Sequence, residues 1–163
     1  SAVTSPNFLT AMVYQKLIPV LCDHCKLPAV GKLDEMTLGV IGSLGIDTAR
    51  VCVAGPGCGH CKERGTAGQT VVAEVCEVTE ELLELLRQSK FWEAQRHWRT
   101  YHDGDLTSPV MHGKSAMEHA IYKMAQGRVD PHDIEASFYK LKKFQIWKGG
   151  STSPQPPRRL SSV

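Results

Sequence analysis

Two Cys-x-x-Cys pairs constrain this chain more than any other feature: Cys22-Asp-His-Cys25 and Cys58-Gly-His-Cys61. Two thiolates in one tight turn reach a single ion, and a second pair from a distant turn completes a tetrahedron. The segment from Cys25 to Cys58 is longer than the roughly 15–20 residues that usually separate such pairs. It has to loop out and return. The spacing predicts a closed structural zinc held by Cys22, Cys25, Cys58 and Cys61, with no open position for catalysis. Two disulfides, or bare thiols, are the alternatives this reading leaves open. Cys52 and Cys76 bring the total to six cysteines, an even number. Four of the six are grouped in pairs and no export signal precedes them, which favours metal in a reducing compartment.

The second pair also reads, in Cys58-Gly59-His60-Cys61-Lys62, like the active site of a disulfide isomerase. That chemistry needs a strand before the motif and a helix beginning at the first cysteine, whose dipole lowers the thiol pKa. The stretch RVCVAG supplies the strand. KERGTAGQT supplies no helix, because Gly65 and Gly68 interrupt it at once. Gly57 also stands where isomerases carry Trp. The redox reading is set aside on these grounds.

Composition works here by exclusion. A formal charge of +2 over 163 residues is too weak to mark a nucleic-acid or anionic-membrane binder. No apolar run approaches the roughly 18 residues of a membrane span, so no direct membrane insertion is expected. The start, SAVTSPNF, has no secretory signal. It lacks an initiator Met, and we expect a fragment of a longer protein. His112-Gly-Lys-Ser115 imitates the end of a phosphate loop, but Ser108 replaces the first Gly and no buried strand precedes it. The stretch is read as a turn with an N-cap at Ser115. No other phosphate loop is found, and no catalytic or cofactor-binding residue is assigned.

The expected fold class is mainly α, with a small zinc-stapled tetracysteine element and one short β-hairpin. Phe8, Leu9, Met12, Val13, Leu17, Val20 and Leu21 show helical spacing, ended by Pro19. Asp34 to Leu44 reads as a short helix with Met36, Val40 and Leu44 inward, stopped by Gly45. RVCVAG and TVVAEVCEV read as strands. Thr79 caps a Glu- and Leu-rich helix, which FWEAQRHWRTYH extends or restarts. A capping box from Ser115 to Glu118 opens a helix closed by Gly127. Asp130-Pro131 starts a last helix to about Phe144. The domain plan is 1–7 disordered or a cloning scar, 8–78 a zinc-binding subdomain with a helical insertion, 79–146 a C-terminal helical subdomain, and 147–163 a disordered tail.

Other residue types take ordinary roles. His24 and His60 are expected on the surface and Cys52 and Cys76 as buried thiols. Trp92, Trp98 and Tyr101 are expected in the core. His97, His102, His112, His119 and His132 show no metal spacing. Lys140, Lys142 and Lys143 are read as a solvated face.

Taken in order, these features resemble the secretion ATPases that drive type II secretion and type IV pilus assembly. That family runs a helix with a Gln-Arg-Leu core into Leu-Cys-x-x-Cys. Here YQKLIPVLCDHC carries Gln15, Leu17, Leu21, Cys22 and Cys25, with Lys16 in place of Arg. A Gly-Cys-x-x-Cys, a Gly-rich turn and a strand ending in Glu follow; here they are Gly57, Cys58, Cys61, Gly65, Gly68 and Glu74. TEELLELLRQ and the Gly127-closed helix match the family's end. Arg64-Gly65-Thr66 and Gly68-Gln69 depart from its usual Thr-Gly-Tyr and Gly-Arg. The resemblance implies the non-catalytic C-terminal part of a hexameric cytoplasmic ATPase, peripheral to the bacterial inner membrane. Its implied partners are the rest of the ATPase, neighbouring subunits and an inner-membrane platform protein. ATP and magnesium are implied only for the parent protein, whose phosphate loop lies upstream. The alternative is a free-standing zinc-stapled interaction or regulatory module.

Overall fold

The structure is a computed structural model and describes residues 8–147. The elements, in order, are β1 (Ala11–Leu21), β2 (Leu27–Pro28), α1 (Glu35–Ser43), β3 (Cys52–Val53), β4 (Thr66–Glu77), α2 (Glu80–Arg87), α3 (Phe91–Arg99), α4 (Ala116–Ala125) and α5 (Pro131–Ser137). Short 3-10 turns cover Thr48–Arg50, Gly59–Cys61 and Leu141–Lys143. The expectations for 1–7 and for the tail after Trp147 lie outside the described residues.

The largest departure from the sequence reading is β1. The helical spacing over 8–21 belongs to a strand instead. β1 pairs antiparallel with β4, from Ala11 opposite Glu77 to Leu21 opposite Thr66, with an irregularity between Pro19 and Leu21. Apolar residues occupy both faces of this ladder, so a period-2 element looks helical when its apolar positions are counted alone. Ile18, which the helical set omits, is completely buried, as are Leu21 at the end of β1 and Val72 of β4. Pro19 fits at the bulge because no regular ladder bond is required there. The single short hairpin is likewise corrected. β2 pairs with β3, and β4 pairs with the distant β1, so neither pair is a hairpin between the two expected strands.

Several helix ends follow the sequence rules. Asp34 caps α1 by accepting from Thr37 N, and Thr79 caps α2 by accepting from Leu82 N. Ser115 and Glu118 form the expected capping box on α4. Gly127 closes that helix at φ +66, in a space where a Cβ would sit 2.7 Å from the Arg50 carbonyl. FWEAQRHWR is a restart, since Ser89 takes φ +57 between α2 and α3. Two helices differ in detail. Met36 is 72% exposed, and Ile41 is the residue that α1 buries. The last helix stops at Ser137, because Glu135 accepts from Leu141 N and Lys140 Nζ and folds the chain back.

One hydrophobic cluster joins Ile18, Ile41, Val51 and Val72 to Leu106, Ile121, Met124 and Ile134. The helices therefore share a core with the cysteine-bearing half. Around it lies a set of buried charges. Glu118 is fully buried and receives Arg99 on both oxygens, with the longer contact at 2.7 Å. His102 Nε2 lies 3.3 Å from Glu118 Oε1. Burial alone would raise the Glu118 carboxyl, but hydrogen bonds from Arg99 and His102 outweigh it and hold it at about 2. Its folded pKa thus sits below the ordinary 4.5. The stabilisation is complete above about pH 5 and disappears as pH falls toward 2. The shift corresponds to about 3 kcal/mol. Glu118→Gln should cost roughly 3–5 kcal/mol by stranding Arg99. It should also flatten the acid limb of stability, as read by urea titrations between pH 2 and 7.

Candidate metal centre

The first knuckle begins where β1 ends. Leu21 N donates to Arg128 O and Cys22 N to Gly65 O, so the strand end is tied to two other parts of the chain. Cys25 N and Lys26 N then both return to Cys22 O, which closes a turn with both thiols on one side. The second knuckle is the 3-10 turn Gly59–Cys61, with Cys61 N and Glu63 N returning to Cys58 O. Lys62 and Glu63 take left-handed φ values of 54° and 60° to reverse the chain at once.

The knuckles meet because Gly55 has no side chain. A Cβ on Gly55 would lie 1.6 Å from the Cys25 carbonyl oxygen. Gly57, at φ +99, would place one 2.5 Å from Glu63. Neither contact was apparent from spacing, because a glycine before a Cys-x-x-Cys reads simply as a loop.

Cys22, Cys25, Cys58 and Cys61 converge, with their sulfurs all within 4.8 Å of one another. The pairs Cys22–Cys58, Cys25–Cys61 and Cys58–Cys61 each stand 3.8 Å apart. Four sulfurs about 2.3 Å from a central zinc would be separated by about 3.8 Å, the edge of that tetrahedron. The donor set therefore fits zinc in size and chemistry. Cys22 and Cys61 are buried, Cys25 and Cys58 half-buried, and none of the six cysteines is in a disulfide. Among the described residues this is the one group of His, Cys, Asp or Glu side chains gathered closely enough for a metal.

The backbone prepares the sulfurs unequally. Cys61 Sγ accepts from Cys58 N and Gly65 N, each at 3.2 Å. Burial pushes this thiol up, but those N–H donors outweigh it and bring it to about 6. Cys25 has no such donors; burial and hydrogen bonds to the neighbouring thiols push it up to about 12. Four thiolates this close repel one another, and a divalent cation removes that penalty.

Other expected positions fall as follows. His24 and His60 are exposed, as their place in the knuckle loops suggests, and stack at 3.7 Å with rings 9° from parallel. Cys52 and Cys76 are half-buried rather than fully buried. Trp98 is in the core and donates to Val75 O, whereas Trp92 and Tyr101 are exposed. Ser115 is the N-cap, but its neighbour Lys114 is wholly buried, bonded to Ser108 O at 2.9 Å and 3.3 Å from Asp103. No sequence pattern marks that lysine, because its anion arrives from a loop eleven positions earlier. Lys142 and Lys143 are solvated.

A family model described as Type II/IV secretion system protein matches residues 2–129. That span includes both knuckles, the whole β1–β4 ladder and the helices through α4. No curated protein matches the chain.

Proposed function

This chain belongs to the type II/IV secretion system protein family, and from that premise we propose that it is the non-catalytic C-terminal portion of a secretion ATPase with a structural zinc. The observation that carries this reading is the family match itself, which spans all four clustered cysteines. Cys22, Cys25, Cys58 and Cys61 would hold the ion. Bound zinc would supply a crosslink between the two knuckles. In this reading 8–78 is the zinc-binding part and 79–146 a helical part packed on it. The assembled parent is a hexamer that works on the cytoplasmic side of the inner membrane, against a platform protein of a pilus or secretion machine. ATP and magnesium would bind only in the parent. No helix of the described residues is long and apolar enough to cross a membrane.

The β1–β4 ladder supports attachment to a larger body. Ala73 N donates to His119 Nδ1 and Val75 O accepts from Trp98, so both groups point away from β1. Their partners Gln15 and Val13 then point their own backbone groups outward, as non-hydrogen-bonded pairs of an antiparallel ladder do. The face they share is apolar and open: Val13 is 60% and Leu17 56% exposed, beside Val71 and Val75. An open strand edge beside exposed apolar side chains is one that proteins normally cover.

The test is the gene. A phosphate-binding loop should be encoded roughly one to two hundred residues before Ser1; a start codon there would favour a free-standing module. The chain alone should hydrolyse no ATP, and turnover by a clean preparation would contradict the assignment.

A further inference from the structure

Cys58 and Cys61 occupy one short turn with their sulfurs 3.8 Å apart, and Cys58 is half-exposed while Cys61 is buried behind it. The turn has room to adjust, since nothing lies within 4 Å of the position a Gly59 Cβ would take. We propose that this pair is a peroxide-operated latch: a hydroperoxide oxidises Cys58 and Cys61 to a disulfide, and the metal centre opens. The inference rests on the zinc reading above.

The chemistry balances within the pair and the oxidant. The Cys58 thiolate attacks the O–O bond, takes one oxygen as a sulfenic acid, and releases hydroxide or alkoxide. The Cys61 thiolate then attacks the Cys58 sulfur, forms the S–S bond and expels the second oxygen as hydroxide. The two sulfurs lose two electrons and the peroxide gains them. Cys22 and Cys25 alone are too few for a closed site; as the ion leaves, their sulfurs take up protons.

Cys22–Cys58 and Cys25–Cys61 are equally close across the knuckles, 36 positions apart in the chain. A bridge there would close a long loop, whereas the Cys58–Cys61 bridge closes within a turn already formed. A bridge across the knuckles would have to draw together two turns already fixed by Cys22 N on Gly65 O and by Gly55 against the Cys25 carbonyl, whereas the local pair needs only the Gly59–His60 turn to adjust. The result is also different in kind. A bridge across the knuckles would replace the crosslink, while a bridge inside one knuckle removes it.

Opening would be felt beyond the sulfurs. The first knuckle carries Leu21 N to Arg128 O and Lys26 Nζ to Gly127 O, and Ala54 before the second donates to Asp130. Amide exchange at Leu21 and Ala54, whose N–H groups donate these contacts, should therefore rise when the latch is oxidised.

The experiment uses the zinc-loaded chain with Cys52→Ser and Cys76→Ser, so that every titrating thiol belongs to the centre. Excess hydrogen peroxide is added. Zinc is read with a chromogenic chelator, thiols by alkylation, and disulfides by peptide mass mapping. About one zinc and two thiols should be lost together, with Cys58–Cys61 as the disulfide, and dithiothreitol plus zinc should restore both. A bridge across the knuckles, zinc retained in excess peroxide, or release only with irreversible sulfinic acid would each overturn the proposal. Should the double substitution fail to fold, the disulfide map of the unsubstituted chain decides. A chain that holds no zinc before treatment overturns the structural-zinc reading instead; the latch is then judged on the metal-free chain, where a missing Cys58–Cys61 bridge rejects it.

Discussion

Cys61→Ser should leave the chain without its metal: the expected result is a loss of zinc affinity of more than about 100-fold. Weakening an outer-sphere partner of a ligand already costs about 10–100-fold, and this change removes a ligand outright. Cys61 is also the sulfur that Cys58 N and Gly65 N both address. A serine hydroxyl there meets the same two donors without the thiolate's charge. Because metal binding in such a centre is itself folding free energy, stability should fall as well. A loss of about 3 kcal/mol would lower the melting temperature by roughly 6–12 °C in a chain of this size. Chelation of the unsubstituted protein should reproduce that shift, and re-addition of zinc should reverse it only in the unsubstituted protein. A purified chain that contains no zinc and melts identically with and without chelator would reject the structural metal.

Gly55→Ala is the second large effect, and it requires no change at the cysteines. The added methyl would sit 1.6 Å from the Cys25 carbonyl oxygen, a backbone atom that has no rotamer to escape into. The knuckles would have to separate by more than an ångström. Overpacking of this kind costs about 1–3 kcal/mol where side chains can adjust, so a cost at or above the top of that range is expected. Zinc affinity should fall in parallel, because the separation pulls Cys25 away from Cys61. Gly59→Ala is the matched control: it lies in the same knuckle with open space around it, and should change stability by less than about 0.5 kcal/mol. Equal effects from the two substitutions, measured by thermal melts and zinc titration, would remove Gly55 from the account.

The four-cysteine cluster is legible because its signal is local. Each pair fixes its own turn, and the four residue types leave few uses other than a metal. The glycines around the pairs were legible as loops but not as contacts, since Gly55 matters through an atom thirty residues away. The β1 strand was misread for a physical reason. A two-stranded ladder with one face on the core and an apolar open face has no polar alternation, and without alternation Met12, Val13 and Leu17 match a helix as well as a strand. The decision is made by β4, from the other end of the cysteine-bearing half. Capping residues were the most reliable local feature: Asp34, Thr79, Ser115 and Asp130 each act within three residues of themselves. Lys114 and Glu118 show the opposite case. Their burial depends on Asp103, Arg99 and His102, which only the finished fold brings into reach.

The turn after α4 has a mechanical consequence. Residues 127–130 receive Leu21 and Lys26 from the first knuckle and Ala54 from the approach to the second, while Gly127 rests on the Arg50 carbonyl with no room for a side chain. A joint pinned on three sides cannot bend without breaking all of its bonds at once. Movement of α4 or α5 at this joint would therefore be felt at both cysteine knuckles.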